Sequence, residues 1–154
     1  MKHLIQRTLI HLFLLSLVAT PVDAQTGRKE RHALETRSAD ELLVDKQKER
    51  SLIEEALPQT ATARPEKKRR LLIFDMNVNY GGHKSIDYAS YAFARMGEET
   101  GAFETVITRD TLVFSAGHLK EFDAVFFNNT VGNLFRDEIL RQNLYGFQSQ
   151  ERLL

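Results

Sequence analysis

Two polar loops of this sequence, residues 79–83 and 128–130, carry residue types that bind or transform small molecules. In loop 79–83 a glycine pair, which lets the backbone turn tightly and approach a ligand, precedes a histidine. That histidine is a candidate general base, metal ligand or hydrogen-bond donor to a sugar hydroxyl. Loop 128–130 supplies amides and a hydroxyl, which hydrogen-bond polyols without requiring a charge. The candidate site residues are Asn79, Gly81, Gly82, His83, Asn128, Asn129 and Thr130.

These residues also have structural interpretations. His83 is suited to capping the helix that follows it, and the amides of loop 128–130 are suited to satisfying the backbone of a turn. Asp75, at the end of an apolar run, is either a carboxylate partner for His83 or a turn residue. His118 is interpreted as a surface loop residue. Loop 128–130 also matches a glycosylation sequon, an interpretation that we discount at the base of a predicted site.

Composition excludes several classes of function. The chain has no cysteine, which excludes thiolate nucleophiles, amidotransferase catalysis among them, and cysteine metal sites. No Walker or Rossmann pattern surrounds the glycine pair, so a phosphate loop is not predicted. The 21 basic and 21 acidic side chains balance, which argues against nucleic acid as a partner. The cofactor is left unknown, with a divalent metal at His83 as one interpretation.

Alternating strand and helix patterns must position the two loops. The predicted strands are 70–75, 103–108 and 123–127, and the predicted helices are 85–99 and one beginning at Asp137. Segment 110–121 is predicted to be a loop with one helical turn around residues 112–114. This alternation predicts an α/β fold with a flavodoxin-like parallel sheet, in which the strand order 2-1-3 makes the first and third strands neighbours. Their loops are then expected to meet.

The segments before the first predicted strand indicate an exported protein with an additional region between the signal peptide and the domain. Residues 1–24 have the charged start, apolar run and small-residue cleavage site of a signal peptide, which favours a periplasmic or extracellular protein without a membrane span after cleavage. Residues 25–68 are predicted to form a polar lead, an amphipathic helix and a linker. The helix is predicted from a capping box at Ser38 to Leu57. It is interpreted as a lid on the domain or, alternatively, as a partner-binding element.

The third predicted strand poses a physical difficulty. Residues 124–127 are as apolar as a central strand, but with no later strand in the chain they form an exposed edge, which is an aggregation liability. Residues 69–154 are therefore expected to be a partial domain, truncated after the third strand and its helix. The chain end at Leu154 is interpreted as a real truncation, a frameshift or a fragmentary gene model.

Together these segments resemble the ThuA-like (trehalose-utilization) domains, which are similar in fold to class I glutamine amidotransferases. The resemblance covers about residues 50–147, and the matching segments are 70–74, 79–86, 96–104 and 122–135. It implies a role in carbohydrate utilization, with a trehalose-type disaccharide as the small ligand. Family members continue with a glycine-rich turn, a strand and a histidine-bearing turn, which residues 145–154 do not offer. A non-catalytic carbohydrate-binding module and an inactive fragment are the alternatives.

Overall fold

The computed structural model describes residues 33–150, so the predicted signal peptide and the first part of the polar lead lie outside the described residues. The strands are β1 (Thr36–Arg37), β2 (Arg70–Phe74), β3 (Glu104–Thr108) and β4 (Ala124–Phe127), and the α-helices are α1 (Gln47–Ala56), α2 (Ser85–Thr100), α3 (Ala116–Leu119) and α4 (Glu138–Gln150). The segments after β2 and β4, residues 75–84 and 128–137, are called the β2 loop and the β4 loop. None of the helices in this part of the chain combines the length and apolar character needed to cross a membrane.

The protein is an α/β protein with a mixed four-stranded sheet in the order β1-β3-β2-β4. Strand β2 is parallel to both neighbours, with Leu72 opposite Val106 on β3 and Val125 on β4. The order of these three parallel strands is the predicted one. Strand β1 was not predicted, because two polar residues show no apolar alternation. It pairs antiparallel with β3, and the Thr108 hydroxyl donates to the Glu35 carbonyl beside it.

The sheet has a core on each face because successive side chains of a strand point to opposite sides. On the α4 face, Leu72 and Phe74 pack with residues of the β3–β4 crossover and with Leu140 of α4. On the α2 face, Ile73 packs with Tyr91 of α2. All of these side chains are buried. Helix α2 agrees with its prediction and ends at Gly101, whose φ of 63° is the left-handed conformation favoured there.

The predicted continuous helix from Ser38 to Leu57 is wrong in its middle. The capping box between Ser38 and Glu41 is present, but it opens only a single 3-10 turn, and α1 begins at Gln47. The chain leaves the helical path at Leu43, whose φ is 54°. Leu42 and Leu43 thereby both enter the core on the α2 face, so burial overrides local helix propensity.

Helix α1 packs on α2, as the lid interpretation expects. Arg50 Nε donates to the Tyr91 hydroxyl at 3.1 Å, and that hydroxyl donates to Glu54. Ile53 packs against the core on the α2 face. The predicted helical turn near residues 112–114 is present as a 3-10 turn, Thr111–Phe114, and it is followed by α3, which is too short to show a helical period.

Strand β4 lies at the edge of the sheet and pairs only with β2 among the described strands. Ala124 is exposed and the rest of the strand is half-buried, in keeping with an edge position. Asp123 anchors the beginning of this strand, since its carboxylate accepts from the Arg70 backbone N–H at 2.9 Å and from Arg69 at 2.9 Å. Lys67 lies 3.0 Å from the same carboxylate.

Two helical glycines provide a matched test of the packing. A Cβ on Gly97 of α2 would lie 2.5 Å from the Phe103 carbonyl oxygen, whereas a Cβ on Gly146 of α4 meets nothing within 4 Å. We expect Gly97→Ala to lower the free energy of unfolding by about 1–3 kcal/mol through overpacking. Gly146→Ala is expected to raise it by up to about 1 kcal/mol through helix propensity. Urea unfolding measures both, and effects of the same sign would contradict this packing.

The anchor at Asp123 also predicts a pH dependence of stability. Hydrogen bonds from the Arg70 backbone and from Lys67 lower the pKa of Asp123 from 3.8 to about 2. A carboxyl whose pKa is lower in the folded state stabilises the fold above its unfolded pKa, and that contribution is lost as the pH falls toward 2. We therefore expect Asp123→Asn to be less stable than the unmodified protein at pH 6 and to equal it near pH 2.

Urea midpoints across this pH range measure the difference. The control is Glu55→Gln, which changes an exposed carboxylate on α1. It should leave the urea midpoint equal to that of the unmodified protein at pH 6 and at pH 2. If the difference between Asp123→Asn and the unmodified protein were constant from pH 6 to pH 2, the carboxylate would not be the source of the effect.

Candidate functional site

The β2 loop and the β4 loop run side by side at the carboxyl edge of the sheet. Asn77 and Val131 form a parallel bridge, and the Val78 N–H donates to the Val131 carbonyl at 2.9 Å. Gly132 permits this close approach, because a Cβ there would lie 2.7 Å from the Val78 carbonyl oxygen, and its φ of 92° favours glycine. The two loops therefore meet, as the strand order predicted.

Asn128 joins the β4 loop to helix α2. Its side chain is buried, and its amide nitrogen donates to the Ile86 carbonyl and to the Ser90 hydroxyl, both at 2.9 Å. Both N–H groups of this amide are thus engaged within the protein. These hydrogen bonds hold the start of the β4 loop against α2. The next residue, Asn129, is exposed, and Thr130 is half-buried.

A buried carboxylate lies beneath the same loops. Asp75 is fully buried, and its Oδ1 accepts from Arg109 Nε at 2.9 Å, while its Oδ2 accepts from Arg37 and, at 3.3 Å, from the Ser90 hydroxyl. His83 is not among the partners of Asp75. The carboxylate that the sequence offered to His83 is instead committed to two guanidinium groups, which provide the charge compensation that a buried carboxylate needs.

The two arginines differ in their other hydrogen bonds and in their exposure to solvent. Arg37 also donates to Asp87 at 3.3 Å, and its buried Nε has no hydrogen-bond partner within residues 33–150. Arg109 uses its Nε on Asp75, and its side chain is 54 % exposed. Sequence reasoning missed both, because Arg37 lies in the polar lead and Arg109 lies in no motif. The available signal was Asp75 itself, since a carboxylate ending a buried strand requires a cation nearby.

The exposed part of the β2 loop presents an aromatic pair. Tyr80 and His83 are both exposed, with ring centroids 5.9 Å apart in an edge-to-face arrangement. Asn79 before them has a φ of 60°, and Asn129 on the β4 loop has a φ of 58°. Asparagine tolerates this left-handed conformation because its short polar side chain bonds locally. Both loops therefore turn at an exposed asparagine.

The glycine pair and His83 form the entry to α2. A Cβ on Gly82, whose φ is 73°, would lie 2.6 Å from the Ile86 side chain, whereas Gly81 has open space around it. The His83 carbonyl accepts from the Ile86 N–H at 3.1 Å, and no side chain caps the helix. The imidazole of His83 is thus not used as a helix cap, and its ring nitrogens have no hydrogen-bond partner in the described part of the chain.

Cavities lie at both edges of the sheet. Two of about 500 and 540 Å³, around Lys68 and Gly101, are at the amino edge, and no candidate site residue lines them. A smaller one of about 330 Å³ lies at the carboxyl edge, between Met76 of the β2 loop and Leu134 of the β4 loop. Open α/β sheets bind ligands at the carboxyl edge, so position favours the smaller cavity, although no candidate site residue lines it either. Within residues 33–150, no three histidine or carboxylate side chains are grouped to hold a metal.

Comparison with known proteins yields no match, whether to a family model, to a curated protein or to a solved structure. The likeness to ThuA-like domains therefore rests on the sequence segments that carry it.

The Asp75 cluster predicts that the carboxylates of Asp75 and Asp87 contribute very different amounts to the free energy of unfolding. We expect Asp75→Asn to lower the free energy of unfolding by about 3 kcal/mol, because it removes the buried partner of Arg37 and Arg109. Asp87→Asn removes a carboxylate that is 48 % exposed, and it is expected to cost less than about 1 kcal/mol. Urea unfolding at pH 7 compares them, and equal costs would show that Asp75 does not hold this edge together.

Proposed function

We propose that this protein is an exported ThuA-like domain that binds a small carbohydrate, of the trehalose disaccharide type, at the carboxyl edge of its sheet. The observation that carries the proposal is the pairing of the β2 loop with the β4 loop through Asn77 and Val131. It joins the exposed residues of both loops into one surface at the edge where open α/β sheets bind ligands. The strand order β3-β2-β4 supports a flavodoxin-like or amidotransferase-like fold as part of the same proposal.

The chemistry of the exposed residues suits a polyol. The ring of Tyr80, 48 % exposed, offers an apolar face to sugar C–H groups and a hydroxyl at its rim. Asn79, Asn129 and the His83 imidazole offer donors and acceptors for sugar hydroxyls. Asn79, Tyr80 and Asn129 are uncharged, so they can contact a neutral ligand without desolvating a charge.

The same geometry favours binding over turnover. A catalytic histidine is normally oriented by a third group, but the ring contact of His83 is to Tyr80, and Asp75 is committed to arginines. Catalysis with His83 as general base, or as ligand of a divalent metal, is the second candidate. The exposure of an imidazole beside a glycine turn at this edge of the sheet supports it.

Export is part of the proposal because residues 1–24 have the pattern of a signal peptide. A periplasmic or extracellular protein without cysteine depends on its core for stability, and the two apolar clusters on the faces of the sheet supply that core. An exported carbohydrate-binding domain would meet its ligand outside the cytoplasm, before uptake.

Two exposed tyrosines allow a controlled binding test. We expect trehalose, measured by titration calorimetry in a panel of disaccharides, to bind the unmodified protein. Tyr80→Ala should weaken binding at least tenfold, a change of about 1.4 kcal/mol, because it removes the apolar face. Tyr145→Ala, on α4 and 66 % exposed, should leave the affinity unchanged. Equal losses in the two variants would contradict a site on the β2 loop.

His83→Ala separates the two candidates. If the protein binds a disaccharide without hydrolysing it, and His83→Ala only weakens binding, the binding module is supported. Turnover that disappears in His83→Ala would support the catalytic candidate instead. If a folded preparation binds none of the disaccharides, the carbohydrate proposal is wrong and an inactive fragment is favoured.

A further inference from the structure

The cavity of about 330 Å³ at the carboxyl edge lies on the α4 face of the sheet, and neither Tyr80 nor His83 lines it. Alternation along the β2 loop separates the two surfaces. The Asn77 side chain lies beside Gly82 of the same loop, 3.2 Å from the position of a Cβ there, and it does not line the cavity. Met76 and Val78 line the cavity instead. The cavity is therefore a separate site formed by the same loop.

The lining of this cavity is mainly apolar, and its polar members are Thr111, Asn133, Arg136 and Asp137. Met76 and Val78 contribute from the β2 loop, Leu134 from the β4 loop and Leu140 from α4. Leu112, from the turn after β3, lies at the surface and is 40 % exposed. Loops that follow all three parallel strands thus contribute to one apolar space. Its volume is at the lower end of the range of about 300–1,000 Å³ that small-molecule sites occupy.

Two charged residues, Arg136 and Asp137, lie at the mouth of the cavity. Arg136 lines the cavity, is exposed, and has no ion-pair partner in the part of the chain that the structure describes. Asp137 beside it already accepts from the Ile139 N–H at 2.8 Å, at the start of α4. The nearby Arg141 is also engaged, with Glu138 at 3.1 Å and with the Phe135 carbonyl. Asp137 also has no ion-pair partner within residues 33–150, but of the two groups at the mouth only Arg136 has hydrogen-bond donors to offer an anion.

From this mainly apolar lining and the unpaired guanidinium of Arg136 we infer that the cavity binds a small amphipathic carboxylate, with the hydrocarbon part inside and the carboxylate on Arg136. A guanidinium pairs with a carboxylate through two parallel hydrogen bonds. This inference does not depend on the proposed carbohydrate function, since the two sites share the β2 loop and the β4 loop but no residue.

Octanoate is the probe for this site, and 1-octanol is its uncharged counterpart. We expect the full chain to bind octanoate more tightly than octanol in titration calorimetry. Arg136→Gln should weaken octanoate binding at least tenfold and leave octanol binding unchanged, because it removes only the charge. Leu112→Asn should weaken both, because it places an amide in the apolar lining. Arg64→Gln changes an exposed arginine of the linker and should affect neither.

The urea midpoint of Arg136→Gln should match the unmodified protein, since that position is exposed. The midpoint of Leu112→Asn should be somewhat lower, because Leu112 is only 40 % exposed, but the variant should be folded in the absence of urea. Equal loss of octanoate and octanol binding in Arg136→Gln would overturn the assignment of the carboxylate to that residue. Octanoate binding that neither variant changes would show that the cavity is not the site. The absence of octanoate binding to the folded protein would overturn the inference altogether.

Discussion

The buried carboxylate of Asp75 is the constraint on which the carboxyl edge of this sheet depends. A charge without exposure to water must be paired, and its donors come from three places: Arg37 on β1, Ser90 on α2 and Arg109 just after β3. One side chain thereby ties β2 to three other segments. It also explains why two polar residues near the start of the described chain join the sheet, since β1 delivers Arg37 to this carboxylate.

The same cluster supports the candidate binding surface. The Ser90 hydroxyl donates to Asp75 and accepts from Asn128, so one hydrogen-bonded series runs from the β2 loop through α2 to the β4 loop. Gly82 and Gly132 then allow the backbones to approach closely. Functional loops gain precision when a fixed layer supports them, and here that layer is buried while Tyr80 and His83 lie above it in solvent.

The sequence predicted the elements that have strong local signals. Apolar runs identified β2, β3 and β4, and their alternation with helices gave the order in which the two loops meet. What it missed depends on contacts distant in the chain. Arg37 and Arg109 are 38 and 34 residues from Asp75, and nothing local marks them as its partners. Leu42 and Leu43 fit a helical stripe, but burial against α2 decided their conformation. Asn128 was recognised as polar, and only the structure shows that its amide is committed to α2.

Strand β4 shows how an edge strand can still position a site. In the described sheet it has one neighbour, β2, so its inner side alone provides backbone hydrogen bonds. Polar side chains hold both of its ends: Asp123 accepts from the Arg70 backbone at one end, and Asn128 donates to α2 at the other. Between them Phe126 packs against Phe93, with ring centroids 4.7 Å apart. The position of the β4 loop, and of both proposed sites beside it, therefore depends on these end contacts as well as on the strand's hydrogen bonds to β2.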